Sequence, residues 1–140
     1  MTIKEIETLS GLPRANIRYY ESEGLIAPMR AENGYREYSQ ADVETLLRIK
    51  LLRALGLRID TIKSLAAGTL TLESALDARL EELRTEQETL DAAGRVAAGL
   101  RQAHAEFSTL DAAGYLGELL TASQTALRQD VKPYIHAPVR

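Results

Sequence analysis

Apolar side chains recur every three or four positions along most of this chain, and the interruptions mark its joints. In "TIKEIETLSGLPRANIRYYESEGL", Ile3, Ile6 and Leu9 share a helical face, "SGLP" breaks the period, and Ile17 and Tyr20 begin a second face. Pro13 suits the first turn of that second helix, where its missing N–H is not needed, and Gly24 is placed to end it. Two short helices about a glycine-containing turn predict a helix-turn-helix. The next stretch, "LIAPMRAENGYREYS", loses the helical period. Its Asn33-Gly34 pair predicts a hairpin closed by a type I′ turn, with positive φ at both residues. The outcome is a small two-stranded wing.

Ser39 and Asp42 form a capping-box signature that opens a third helix, "QADVETLLRIKLLRALG". Val43, Leu46, Leu47, Leu51 and Leu55 mark its apolar face, and Ile49 and Leu52 widen it, so this helix is expected at the centre of a small core. After Gly56 a shorter helix presents Ile59, Ile62 and Leu65, and the front domain closes near Gly68. Thr71 can cap a fifth helix running to about Leu110. Some 38 residues at ~1.5 Å each would span roughly 57 Å, a rod no small domain buries alone. Leu76, Leu80, Leu83 and Leu90 alternate spacings of four and three, with Gln87 at the missing position, which is a coiled-coil seam. Beside Gly94 the seam moves to Ala93, Val96, Leu100, Ala103, Phe107 and Leu110, which predicts a bend or a change of partner surface. Beyond it, Leu116, Leu119, Leu120 and Leu127 predict one more amphipathic helix, and "DVKPYIHAPVR" reads as extended.

Composition narrows the function. Hydrophobic content of 45% and charged content of 26% are those of a globular protein. No apolar run approaches the ~18 residues of a membrane span. The acidic start "MTIKEIETLS" lacks the apolar core of a secretory signal, so the expected location is cytoplasmic. With no cysteine, disulfides, thiolate metal sites and cysteine nucleophiles are absent. His104 and His136 stand 32 positions apart, so neither a metal nor a cofactor is expected. There is no Ser/His/Asp set, phosphate-cradling glycine loop or HExxH motif, so an enzyme is not expected either. The net charge of −3 divides unevenly, +1 over residues 1–70 and −4 over residues 71–140, which suggests separate jobs for the two halves.

The tyrosines carry the sharper signal. Four of six lie between Tyr19 and Tyr38, interleaved with Arg18, Arg30 and Arg36. Arginine supplies a charged fork and tyrosine a hydroxyl donor, the side chains by which a helix-turn-helix and its wing hold phosphates while the second helix reads bases. Arg14, Asn16 and Arg18 lie off the Ile17/Tyr20 face, and Arg30, Tyr35, Arg36 and Tyr38 flank the wing turn; Tyr20 sides with Ile17 and belongs to the core.

Taken together, "IRYYESEGLIAP", "RAENGYREYSQADVETL" and "LRALGLRIDTIKSL" resemble the DNA-binding domain of the MerR family of bacterial transcription regulators over residues 2 to about 68. "PMRAENGYREYS" is similar to the copper-efflux, metal-responsive branch, from which the chain departs by lacking cysteines. The resemblance implies a mainly α protein: a winged helix-turn-helix domain (residues 1–70), a helix that dimerises as an antiparallel coiled coil (71–110), and a short helical tail (111–140). It implies a homodimer on pseudo-palindromic promoter DNA that distorts an over-long spacer so that RNA polymerase engages both promoter elements. DNA contacts would come from Arg14, Arg18 and Tyr19 of the recognition helix, Arg30, Asn33, Tyr35, Arg36 and Tyr38 of the wing, and Arg53 and Arg58 beyond it. Leu76, Leu80, Leu83, Leu90, Val96, Leu100 and Phe107 would form the dimer seam. Phe107, Tyr115, Leu119 and Tyr134 either line a small effector pocket or cover the end of the coiled coil, and the effector itself is unknown. The alternative function is an architectural DNA-bending protein with no effector response.

Overall fold

The computed structural model describes residues 1–119. The chain divides into two compact units, Met1–Leu76 and a second beginning at Asp77. In the first unit, α1 (Ile3–Ser10), α2 (Arg14–Ser22), α3 (Gln40–Ala54) and α4 (Ile59–Ala67) surround one core, and β1 (Met29–Arg30) pairs with β2 (Arg36–Glu37) as the wing. Ile6, Leu12, Ile17, Tyr20, Ile26, Val43, Leu46, Ile49, Leu57 and Ile62 are buried together, joining the four helices and the approach to the wing in a single cluster.

Local chemistry sets the helix limits. The expected capping box at Ser39 and Asp42 forms in both directions, and so does one at Thr2 and Glu5 that the T-x-x-E spacing carries. Glu5 accepts from the Thr2 backbone N–H, which holds its carboxyl below the usual carboxylate range. Gly11 closes α1 in the left-handed conformation at φ 71°, which licenses the sharp turn into α2.

Two expectations are corrected here. The apolar face of α3 is Val43, Leu46 and Ile49, while Leu47, Leu51 and Leu55 are exposed. A run this rich in leucine satisfies helical spacing on more than one face, and packing against α1 selects one of them. The wing is the second case. Gly34 donates to the Ala31 carbonyl at 2.9 Å, Ala31 donates to the Tyr35 carbonyl at 2.8 Å, and positive φ occurs at Gly34 and not at Asn33. This is a type I turn followed by a left-handed glycine, not a type I′ turn. The Asn33 Oδ1 accepts from the Tyr35 N–H at 3.0 Å and so completes the loop with its own backbone at negative φ.

α5 (Leu72–Gln102) starts as expected, with the Thr71 Oγ1 accepting from the Ser74 N–H at 3.1 Å, and continues through Gly94 without a break. It stops before Leu110. His104 adopts φ 55°, His104 donates to the Arg101 carbonyl, and Ala105 donates to the Leu100 carbonyl, which together make a Schellman-type stop. Histidine tolerates the left-handed region better than most side chains. A short 3-10 turn, Phe107–Thr109, and a helical stretch at 112–119 follow. Leu120, Leu127, Tyr134 and His136 of the predicted tail lie outside the described residues.

Candidate nucleic-acid interface

Because Ile17 and Tyr20 take the core side of α2, Arg14, Asn16, Arg18 and Tyr19 are left on its outer side. Tyr19 is half-exposed and leans on Tyr20, ring centroids 5.7 Å apart at 56°. The register of the hairpin, Arg30 opposite Arg36, brings two wing arginines side by side. Arg18 of α2 and Arg30, Tyr35 and Arg36 of the wing then line one hollow of about 260 Å³, with Thr2 and Ile3 at its other wall. Four residues spread over nineteen positions thus converge on one face.

Their hydrogen bonds divide the labour. Arg30 donates from Nη1 to the Gly34 carbonyl at 2.9 Å and braces the turn. Arg36 donates from Nε to the Glu21 carboxylate at 2.8 Å, tying the wing to α2, with side chains only 27% and 20% exposed. One guanidinium has five N–H donors, so one such bond leaves most of them for a phosphate. Arg14 is held by Glu7, which accepts from its backbone N–H at 2.8 Å and from its guanidinium at 3.4 Å. Arg18 is exposed and makes no ion pair among the described residues. Lys63 reaches Glu23 at 3.0 Å, and that hydrogen bond holds the ammonium above its ordinary range. The supporting acids Glu7, Glu21 and Glu23 were not anticipated: their partners lie on other elements, with no local spacing to announce them.

Arg53 and Arg58 sit away from the hollow. Arg53 donates to the Leu57 carbonyl at 3.1 Å across the α3–α4 turn, and Arg58, exposed, occupies the N-cap position of α4. Tyr38 is the one wing residue the fold takes back. Its ring is 2% exposed, its hydroxyl is buried without a partner among the described residues, and its backbone exchanges hydrogen bonds with Met1 at 2.7 and 2.8 Å. The side chain expected on phosphate is a core side chain: the Met1 pairing and the start of α3 turn it inward.

On α5 the leucines Leu80, Leu83 and Leu90 are 63%, 40% and 66% exposed, and Leu76 is half-buried. Val96 is already buried within the chain, Leu100 is half-buried, and Phe107 lies past the helix end, 96% exposed. At ~100° per residue Val96 points away from these leucines, and Leu100 lies ~80° from Leu90 and ~40° from Val96. Of the four residues considered for an effector pocket, Tyr115 packs beside α5, where a Cβ at Gly99 would stand 3.6 Å from its ring. Leu119 is half-buried and Phe107 open. Among the described residues no three His, Asp or Glu side chains come together to hold a metal ion, and the 140 residues include no cysteine. No described helix is long and apolar enough to cross a membrane.

A helix-turn-helix whose second helix shares a hollow with a β-hairpin wing is, in class, a winged helix-turn-helix module. The family model described as MerR HTH family regulatory protein matches residues 1–69, and the chain belongs to that family. Among its relatives, the HTH-type transcriptional regulator HmrR of Rhizobium leguminosarum bv. viciae is 45% identical over 67 residues, covering 48% of this chain and 52% of HmrR. The HTH-type transcriptional regulator CueR of Vibrio cholerae is 40% identical over 86 residues, covering 59% of this chain and 62% of CueR. The matched segments thus span between half and two thirds of these relatives, which are transcriptional regulators and not enzymes. The transcription regulator PbrR691 of Ralstonia metallidurans CH34, solved in complex with lead(II), superposes with a TM-score of 0.64 at 30% identity, over 73% of this chain and 86% of that one.

Proposed function

We propose that this protein is a homodimeric, sequence-specific DNA-binding transcription regulator of the cytoplasm that acts on a pseudo-palindromic promoter. The observation that carries the reading is the shared hollow, where Arg18 of the recognition helix meets Arg30, Tyr35 and Arg36 of the wing in a chain of the MerR family. Arg14, Asn16, Arg18 and Tyr19 face the major groove in this reading. Arg30, Tyr35 and Arg36 hold phosphates, with Asn33 shaping the turn, and Arg53 and Arg58 supply further backbone contacts. Activation proceeds by distorting an over-long promoter spacer so that RNA polymerase engages both elements. Bending energy then adds specificity at base pairs the protein does not touch. The metals named for its relatives are not carried over, because a thiolate site cannot be built from these residues.

Footprinting of the full chain on the DNA upstream of its own coding region tests the proposal. The expected result is protection of an inverted repeat inside the spacer between promoter elements. DNA bending at sites without such a repeat, with no effect on transcription, would instead favour an architectural role.

A further inference from the structure

The recognition helix α2 starts without the means to hold its own first turn. Its N-cap position is Pro13, which has no side-chain acceptor, and Arg14, Ala15 and Asn16 supply no acid there. Helices ordinarily begin with an acceptor for the first N–H groups and with negative charge near their positive end. Here both come from another helix. Glu7 of α1 accepts from the Arg14 backbone N–H at 2.8 Å through one carboxylate oxygen, and from the Arg14 guanidinium at 3.4 Å through the other. One carboxylate thus holds both ends of one residue across the turn.

The turn is built to keep Glu7 there. Gly11, at φ 71°, donates to the Glu7 carbonyl at 2.9 Å, which brings the start of α2 back over the last turn of α1. Ser10 is buried, and its Oγ accepts from the Leu12 N–H at 3.2 Å. Lys50 of α3 donates to the Ser10 carbonyl at 3.1 Å, and its Nζ would stand 2.6 Å from a Cβ at Gly11. The end of α1 is therefore tied both to the turn and to α3, and Glu7 is presented from a fixed position.

We propose that Glu7 is a specificity-determining residue that acts through Arg14: it caps the recognition helix and keeps the Arg14 charge from random DNA. This rests on the proposed function, in which the N-terminal end of α2 approaches base edges. The side chains of Arg14 and Glu7 are 50% and 29% exposed, and ion pairs so open to water contribute little to stability. The cap is the structural part of the role, and the ion pair acts on DNA binding. A neutral Glu7–Arg14 pair releases no counterion, whereas a free guanidinium set on a phosphate releases about one. Held by Glu7, Arg14 does not follow the nearest phosphate, yet its remaining N–H donors meet a base that lies where they point. A bidentate contact of that kind discriminates between bases, and a side chain already held loses less freedom in making it.

Variants of the full chain separate the two jobs, read by urea denaturation and by fluorescence anisotropy across a salt series on the footprinted site and on a random duplex. Glu7→Gln keeps an acceptor oxygen and removes the charge. It is expected to leave the urea midpoint unchanged, to steepen the salt slope on random DNA by about 1 per protomer, and to lower the specific-to-random affinity ratio about fivefold to tenfold. Glu7→Ala is expected to bind DNA in the same altered way with a urea midpoint lower by about 0.5 M, since the cap is lost too. In an Arg14→Ala background, Glu7→Gln is expected to leave the ratio where it was. An unchanged slope and ratio for Glu7→Gln would overturn the role in recognition, and a Glu7→Ala protein as stable as its parent would overturn the cap. An equal fall in the ratio without Arg14 would mean that Glu7 merely repels phosphates. If the unaltered protein prefers no duplex over random DNA, the proposed function falls, and the slope on random DNA still decides whether Glu7 restrains Arg14.

Discussion

Replacing Tyr38 with phenylalanine separates two roles that the same residue could have in a wing. The ring is 2% exposed and the hydroxyl is buried with no partner among the described residues. Stranding a hydroxyl away from water costs about 1–3 kcal/mol, because folding removes its hydration and returns nothing. Tyr38→Phe keeps the ring, and with it the packing, and deletes only the stranded group. The expected result is a gain of about 1 kcal/mol in unfolding free energy, the low end of that range, since neighbours relax around a missing atom. Urea denaturation followed by circular dichroism measures it, at one fixed protein concentration because a dimer's midpoint depends on concentration. Binding of specific DNA by the same variant is expected to stay within about twofold, as no phosphate loses a donor. A variant less stable by 1 kcal/mol or more would show that the hydroxyl has a partner. A fall in DNA affinity, with the salt slope reduced by about 1, would return Tyr38 to the DNA surface.

Three further outcomes follow from the interface. Arg18→Ala is expected to weaken specific binding by ~1–3 kcal/mol with relaxed preference at one base position, and Arg36→Ala to weaken specific and random DNA alike with a salt slope lower by about 1; fluorescence anisotropy across a salt series distinguishes them, and equal effects on both kinds of DNA would end that division. Glu21→Ala frees the Arg36 guanidinium and is expected to cost about 1 kcal/mol of stability and up to tenfold in affinity, salt slope unchanged; tighter binding in a gel-shift titration would mean that Glu21 opposes DNA and does not orient Arg36. Leu80→Asp with Leu83→Asp is expected to give a monomer by analytical ultracentrifugation and to abolish high-affinity binding, and a dimer that survives both charges would place the seam elsewhere.

Elements were legible in this sequence where one local rule decided them, and illegible where two faces or two chains competed. The helix-turn-helix, the Ser39 cap and the start of α5 at Thr71 each depend on residues within four positions of one another. Leu47, Leu51 and Leu55 looked like core because helical spacing cannot say which of two apolar stripes a neighbouring helix will cover. The end of α5 was missed for a different reason. No glycine or proline stands there, and the stop relies on His104 accepting a left-handed backbone. In the candidate interface, residue types pointed to side chains that the fold gathers at one hollow but could not say which of them are buried. Tyr38 and Tyr35 are three positions apart with the same chemistry, yet one is buried and the other 74% exposed. Glu21, fifteen positions from Arg36, becomes its partner only after the wing has folded onto α2.

The charge distribution adds a constraint on how such a protein can reach a specific site. The front half carries only +1, and several of its cations are already engaged: Arg14 by Glu7, Arg36 by Glu21, Lys63 by Glu23. Non-specific affinity grows with the number of phosphates neutralised, so a single reading unit with few uncommitted cations binds random DNA weakly. Fixing those cations also reduces the side-chain entropy lost on binding, which favours a correctly shaped site over an arbitrary one. In the proposed dimer two such units would act at high effective concentration on the two halves of a repeat, and affinity would then depend on whether the spacing of the halves matches the spacing of the units. On that proposal, specificity would rest on the dimer as much as on the recognition helix.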